Sequence, residues 1–87
     1  MREFDSNAQY FAAVTDLALC LESEGHETAA LEIREAMACI NGLTDGWARF
    51  LEAIEAVERR LGNRISAEQR EGLQAIRRAA YNAVYRR

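Results

Sequence analysis

The sequence predicts an all-α fold, a four-helix up-down-up-down bundle built from two antiparallel helical hairpins. Apolar residues recur at helical spacing in four segments, and Gly25, Gly42 and Gly62 separate those segments. We expect Gly25 to end the first helix in a left-handed conformation. Short connections favour antiparallel neighbours. At 87 residues without proline, the chain is expected to form a single helical domain over residues 1–87.

The first hairpin is predicted from two segments, with helices over residues 6–24 and 27–41. Asp5 or Ser6 caps the first helix, and Ser6 with Gln9 has the spacing of a capping box. The positions expected in the core are Tyr10, Val14, Leu17 and Leu21 in the first helix, and Ala29, Ile33, Met37 and Ile40 in the second.

The second hairpin is predicted from a helix over residues 46–61, capped by Thr44 or Asp45, and a helix over residues 66–85. The third segment has the cleanest helical period of the four. The positions expected in the core are Trp47, Phe50, Leu51, Ile54, Val57 and Leu61 in the third helix, and Leu73, Ile76, Ala80 and Val84 in the fourth.

The fourth helix begins with a second capping-box pair, Ser66 and Gln69. One flank of this helix forms a surface that we call the Arg/Tyr stripe, made of Arg70, Gln74, Arg77, Tyr81 and Tyr85. Arginine and tyrosine are common anchor residues of protein interfaces. In nucleic-acid-binding proteins, arginine binds phosphates and tyrosine stacks on bases. The structural alternative is that the tyrosines cover the edge of the core while the arginines pair with the acidic first hairpin.

A second candidate surface is the outer face of the first hairpin, where Leu19 and Leu31 project away from the core positions. With a turn near Gly25, the two leucines should lie at similar heights. The other apolar residues expected on this face are Phe11, Ala12 and Ala38. A contiguous apolar patch is a candidate interface, so we expect a two-fold dimer that buries Leu19 and Leu31. Alternatively, the two leucines fill the seam between the first two helices.

Charge is distributed unevenly around a net value of −3. Residues 1–43 carry two arginines and eight acids, whereas residues 44–87 carry nine arginines and six acids. All eleven basic residues are arginines. This asymmetry is typical of a surface that binds nucleic acid, or of an acidic hairpin that attracts a basic one within the same bundle.

The sequence predicts no catalytic, cofactor-binding or metal-binding residue. The single histidine, His26, stands beside the first turn, and zinc or di-iron sites need several clustered ligands. Cys20 and Cys39 lie in apolar stretches, about 12 Å apart along the predicted hairpin. We therefore expect two inert thiols that pack in the core.

These observations favour a non-enzymatic protein-interaction module that binds a protein partner or a second copy of itself, with no small-molecule substrate. The alternative is a nucleic-acid-binding accessory protein that uses the Arg/Tyr stripe. No apolar run approaches the ~20 residues that span a bilayer, and the N-terminus lacks the pattern of a secretory signal. The expected location is therefore cytoplasmic. The pattern resembles that of many short bacterial helical bundles, and no motif is specific enough to name a family.

Overall fold

The computed structural model describes residues 6–40 and 44–85, and it confirms the predicted bundle of two helical hairpins. Helices adjacent in the chain pack against each other, and α4 returns to α1 through the least extensive of the four helix–helix contacts. No strand occurs in the described ranges. The elements are α1 (Asn7–Ser23), α2 (Glu27–Met37), α3 (Thr44–Leu61), a single 3₁₀ turn (Gly62–Arg64) and α4 (Ala67–Tyr85).

Side-chain caps begin α1 and α4, as the sequence predicts. Ser6 Oγ accepts a hydrogen bond from the Gln9 backbone N–H at 3.1 Å. At α4, Ser66 Oγ accepts from the Gln69 N–H at 3.0 Å, and Gln69 Oε1 accepts from the Ser66 N–H at 3.0 Å. Each bond satisfies an amide that the helix itself leaves without a partner. The reciprocal pair at α4 is a complete capping box.

The turn between α1 and α2 is a Schellman motif centred on Gly25. The Gly25 N–H donates to the Glu22 carbonyl at 3.1 Å, and the His26 N–H donates to the Leu21 carbonyl at 2.9 Å. Gly25 has φ +93°, which glycine adopts without steric cost. Gly62 also has a positive φ, +49°, and it ends α3 as predicted. Gly42, the third predicted breaker, lies outside the described residues.

Two predicted helix boundaries differ from the structure. The second helix ends at Met37 rather than 41, because Cys39 and Ile40 are held by tighter bonds, Cys39 N–H to the Ala36 carbonyl and Ile40 N–H to the Met37 carbonyl. Such i→i+3 bonds commonly replace the last turn of an α-helix. The third helix begins at Thr44, two residues earlier than predicted. Asp45 lies in the first turn, where a carboxylate favours the positive end of the helix dipole.

The core consists of the apolar stripes that the helical period predicts. Its large, fully buried side chains are Phe50, Leu21, Ile33, Ile54, Leu73, Ile76, Val14 and Val57. Leu17, Met37 and Trp47 are partly buried and pack against this core from its edge. Ala18, which is not among the predicted core positions of the first helix, is completely buried.

Four aromatic rings at one end of the bundle join α1 to α3. The closest pairs are Tyr10 with Trp47, at 5.6 Å between centroids, and Tyr10 with Phe11, at 5.8 Å. Phe11 also stacks on Trp47 with an angle of 18° between the ring planes. The expectation that Phe11 belongs to the outer face of the first hairpin is therefore wrong, because its ring packs into the aromatic cluster. Tyr10 also joins α1 to α4, since its hydroxyl donates to the Ile76 carbonyl at 2.9 Å.

Candidate protein-interaction surfaces

The aromatic end of the Arg/Tyr stripe is exposed to solvent on α4. Tyr81 retains 49% of its accessible surface and Tyr85 retains 65%. The two residues are one helical turn apart, and their ring centroids are 4.7 Å apart with an angle of 43° between the planes. Each ring therefore limits the motion of the other while both remain accessible. This pair of rings forms an exposed aromatic patch on the surface of the second hairpin.

The arginines of the stripe are held by neighbours in the same hairpin. Arg77 Nε lies 2.9 Å from Glu58 Oε1 on α3. That nitrogen is buried, and among the described residues its hydrogen is not directed at a hydrogen-bond acceptor, so the contact is an ion pair without good hydrogen-bond geometry. Arg70 Nη2 donates to Asn63 Oδ1 at 3.3 Å. Gln74 lies between the two arginines and is partly buried.

The ion pair of Arg77 tests the alternative that the arginines of the Arg/Tyr stripe pair with the acidic first hairpin. Glu58 belongs to the second hairpin, so Arg77 does not pair with the acidic first hairpin. A different arginine, Arg60 on α3, makes that connection by donating to Glu32 on α2. This hydrogen bond raises the pKa of the Arg60 guanidinium. At this contact, a positive charge of the second hairpin therefore attracts a negative charge of the first.

Leu19 and Leu31 are exposed on the outer face of the first hairpin. Leu19 retains 51% of its accessible surface and Leu31 retains 53%, so neither side chain fills the seam between α1 and α2. Each leucine is four residues from the end of its helix at the Schellman turn, which places the two at the same height. Ala12 and Ala38, also expected on this face, are exposed.

An ion pair lies at the seam of the same face. Arg34 Nη1 on α2 donates to Glu22 Oε2 on α1 at 3.0 Å, and Arg34 Nη2 donates to Glu22 Oε1 at 3.4 Å. The hydrogen bond from Arg34 lowers the pKa of the Glu22 carboxyl, and the positive charge adds to that effect. Because the pair is exposed, its contribution to stability is small. Its consequence for the surface is that these two opposite charges neutralise each other.

The expectation that both cysteines pack in the core is wrong for Cys20, which is exposed. Its Sγ accepts a hydrogen bond from Gln69 Nε2 at 3.2 Å, and the same nitrogen donates to Glu24 Oε2 at 2.6 Å. Cys20 faces the contact between α1 and α4, where packing is sparse, so the thiol remains open to water. Cys39 is partly buried, and both thiols are free.

Gln69 is a bridging residue that the sequence did not reveal in this role. Its side chain is almost fully buried and joins α4 to α1, while its oxygen completes the capping box. A groove of about 370 Å³ lies beside it along the contact between α1 and α4. Ala13 and Gly72 line this groove together with the carboxylates of Asp16 and Glu24. Glu68 on α4 adds a third carboxylate to the lining, so the groove is acidic.

No protein-family model, curated protein or solved structure matches this chain. Within residues 6–40 and 44–85, no helix is long and apolar enough to cross a membrane. In the same ranges, no three His, Cys, Asp or Glu side chains are close enough together to hold a metal ion.

Proposed function

We propose that this protein is a non-enzymatic interaction module that binds a protein partner through the Arg/Tyr stripe and a second copy of itself through the outer face of its first hairpin. The observation that carries the proposal is the exposed ring pair of Tyr81 and Tyr85 beside Arg77. Tyrosine and arginine are enriched among the residues that dominate binding energy at protein interfaces.

Preorganisation supports the choice of the stripe as the partner-binding surface. Binding costs free energy for each side chain that must be immobilised. Contact between the rings of Tyr81 and Tyr85 restricts both before a partner arrives, and Glu58 restricts Arg77 in the same way. The surface that fits the stripe is a shallow apolar pocket with neutral polar groups at its rim, which would accept the two rings beside the already paired arginines.

Nucleic acid is the second candidate for the stripe. Exposed tyrosines next to arginines could stack on bases and contact phosphates. Two observations favour a protein partner instead. Arg70 and Arg77 already have polar or charged neighbours in the chain, which reduces the positive charge offered to phosphate. The net charge of −3 would also repel a polyanion at long range.

The test compares a stripe variant, Arg77→Ala with Tyr81→Ala, with a matched control, Arg78→Ala with Asn82→Ala. Both control positions are exposed on α4 outside the stripe. A partner captured from a lysate of the source cells is purified, and its affinity for each variant is measured by calorimetry. We expect the stripe variant to lose at least ~30-fold in affinity, the loss of one strong interface residue, and the control to bind normally.

Two further measurements separate the competing roles of the stripe. Fluorescence anisotropy with labelled oligonucleotides at low and moderate salt detects nucleic acid. Strong binding with a steep salt dependence that the stripe variant lacks would replace the protein partner with nucleic acid. Thermal unfolding detects a structural role. If the stripe variant melts several degrees below the control while no binding changes, the stripe serves stability and the proposal is wrong.

A further inference from the structure

The groove between α1 and α4 is a seam that the packing of the bundle leaves open. Tyr10 in the first half of α1 contacts Ile76 in α4. Glu24, directly after α1, contacts Gln69 near the beginning of α4, so the two helices are antiparallel. Their contact is the least extensive in the bundle, and the groove of about 370 Å³ lies along it. Leu17 lines this groove and is only partly buried, although the helical period places it in the core.

The floor of the groove is mainly apolar. Among the residues that line it, Gly72 is buried, and Ala13 and Leu17 are partly buried. The one polar member of the floor is Gln69, whose side-chain oxygen and nitrogen are both already hydrogen-bonded. No polar group of this floor therefore needs a ligand, and an apolar side chain that covers it removes apolar surface from water.

The rim of the groove is acidic on both sides, with Asp16 and Glu24 on the side of α1 and Glu68 on α4. Within the described ranges, Asp16 and Glu68 have no cationic partner. The Glu24 carboxylate accepts from two neutral groups, the Gln69 amide and the Cys20 thiol. The two helix dipoles oppose each other here, because α1 ends beside the beginning of α4. The carboxylates therefore determine the field over the groove, which attracts basic side chains.

The dimensions of the groove determine the form of its occupant. A helix with its side chains is about 10–12 Å across, which is too wide for a groove of this volume. An extended segment, in contrast, directs every second side chain to the same side. Asp16 and Glu24 are eight positions apart along α1, or ~12 Å at 1.5 Å per residue. Residues four positions apart in an extended segment are ~13 Å apart and point the same way, so they match this spacing.

Building on the protein-binding role proposed above, we propose that the groove binds an extended segment of a protein partner with the pattern Arg-x-Leu-x-Arg. One arginine pairs with Asp16, and the other pairs with Glu24 and Glu68 at the opposite end. The leucine between them covers Leu17 and Gly72 on the floor. Arginine suits this site because its apolar stem packs along the walls while its planar head pairs with carboxylates.

NMR titration of the isotope-labelled full chain with the blocked peptide acetyl-Arg-Thr-Leu-Thr-Arg-amide tests the site. We expect saturable shifts at the backbone amides of Leu17, Cys20 and Gly72, with a dissociation constant of ~1 mM or below. The isomer acetyl-Arg-Thr-Leu-Arg-Thr-amide has the same charge but directs its second arginine away from the groove. It should bind at least ~3-fold more weakly, the loss of one ion pair. Equal binding of both peptides would show attraction by charge alone and would overturn the proposal.

Two variants of equal charge locate the binding. Asp16→Asn with Glu68→Gln removes two carboxylates of the rim and leaves Glu24, which holds Gln69. This variant should bind the first peptide at least ~5-fold more weakly, because two exposed ion pairs are weakened. The matched control is Glu35→Gln with Glu52→Gln, at exposed positions on α2 and α3, and it should bind normally. Circular dichroism checks the fold of each variant. An equal loss in both variants would mean that binding depends on net charge and not on the groove.

The groove and the Arg/Tyr stripe lie on opposite flanks of α4, so they can be tested separately. Arg77 pairs with α3, whereas Gly72 lines the groove beside α1. Arg77→Ala with Tyr81→Ala should therefore bind the first peptide as the original chain does, and a loss there would place the peptide on the stripe. No saturable shift up to ~10 mM peptide would refute the groove site and leave the stripe proposal standing. Arginine amide that binds as tightly as the peptide would replace the partner segment with a small cation and overturn the proposal.

Discussion

Replacement of Tyr10 by phenylalanine tests how α1 and α4 are held together. The Tyr10 ring is buried, and its hydroxyl donates to the Ile76 carbonyl across the least extensive helix–helix contact of the bundle. Tyr10→Phe keeps the ring and removes that hydrogen bond. We expect a loss of about 0.5–1.5 kcal/mol in the free energy of unfolding at pH 7. For a domain of this size, each kcal/mol lowers the melting temperature by about 4–8 °C.

The cost of the same substitution decreases in alkali. Burial raises the pKa of the Tyr10 hydroxyl well above its ordinary value of 10.0. A group whose pKa is raised by folding contributes stability below its unfolded pKa, and that contribution is lost as the pH rises towards the folded pKa. At pH 11 the unfolded chain gains about 1.4 kcal/mol by ionising this tyrosine, while the folded chain keeps it neutral. Phenylalanine has no proton to lose, so the variant avoids that penalty.

Urea unfolding of the two proteins at pH 7, 9, 10 and 11 measures the difference. The original chain should be the more stable one at pH 7, and the two should become about equal near pH 11. Every other titratable group is shared, and the chain has no lysine to complicate this pH range. Tyr85→Phe, at an exposed position, is the control and should not change stability at pH 7. A constant difference from pH 7 to pH 11 would refute the role assigned to burial of the Tyr10 hydroxyl.

Two further predictions concern the core and the exposed ion pair. Ile54→Ala, at a position with no accessible surface, should cost about 2–5 kcal/mol in urea unfolding, and a cost below about 0.5 kcal/mol would place Ile54 outside the core. Arg34→Gln should raise the pKa of the Glu22 carboxyl towards its ordinary value of 4.5, as followed by NMR titration. Because folding lowers that pKa, the stability from this pair is present above pH 4.5 and disappears as the pH falls through the folded pKa. An unchanged Glu22 pKa in the variant would show that Arg34 is not the cause.

The helical period of the apolar residues predicted the four helices, because those residues mark the side of each helix that faces the core. It could not predict the end of α2, since the tighter turns after Met37 still bring Ile40 against the core. The apolar pattern therefore continues where the α-helix does not. Helix ends that carry local sequence signatures were easier to predict. The capping box of Ser66 and Gln69 formed as the spacing indicates, because both of its hydrogen bonds are local.

Features that depend on two helices at once were less accessible from the sequence. Cys20 was expected in the core because it lies beside the apolar stripe, but it faces the side of α1 where α4 makes little contact. The partner of Arg77 depends on how α3 and α4 are rotated relative to each other, which a single-helix pattern does not contain. Exposure of Leu19 and Leu31 was easier to anticipate, because both lie opposite the core stripe of their own helix.

The order in which the helices contact each other also has a consequence for how fast the chain folds. Three of the four helix–helix contacts join neighbours along the chain, so they close only short loops. Proteins dominated by such local contacts fold within microseconds to milliseconds. The contact between α1 and α4 is different, since Tyr10 and Ile76 are 66 positions apart. Its closure has the largest entropic cost, which places the docking of α4 on α1 after the hairpins have formed.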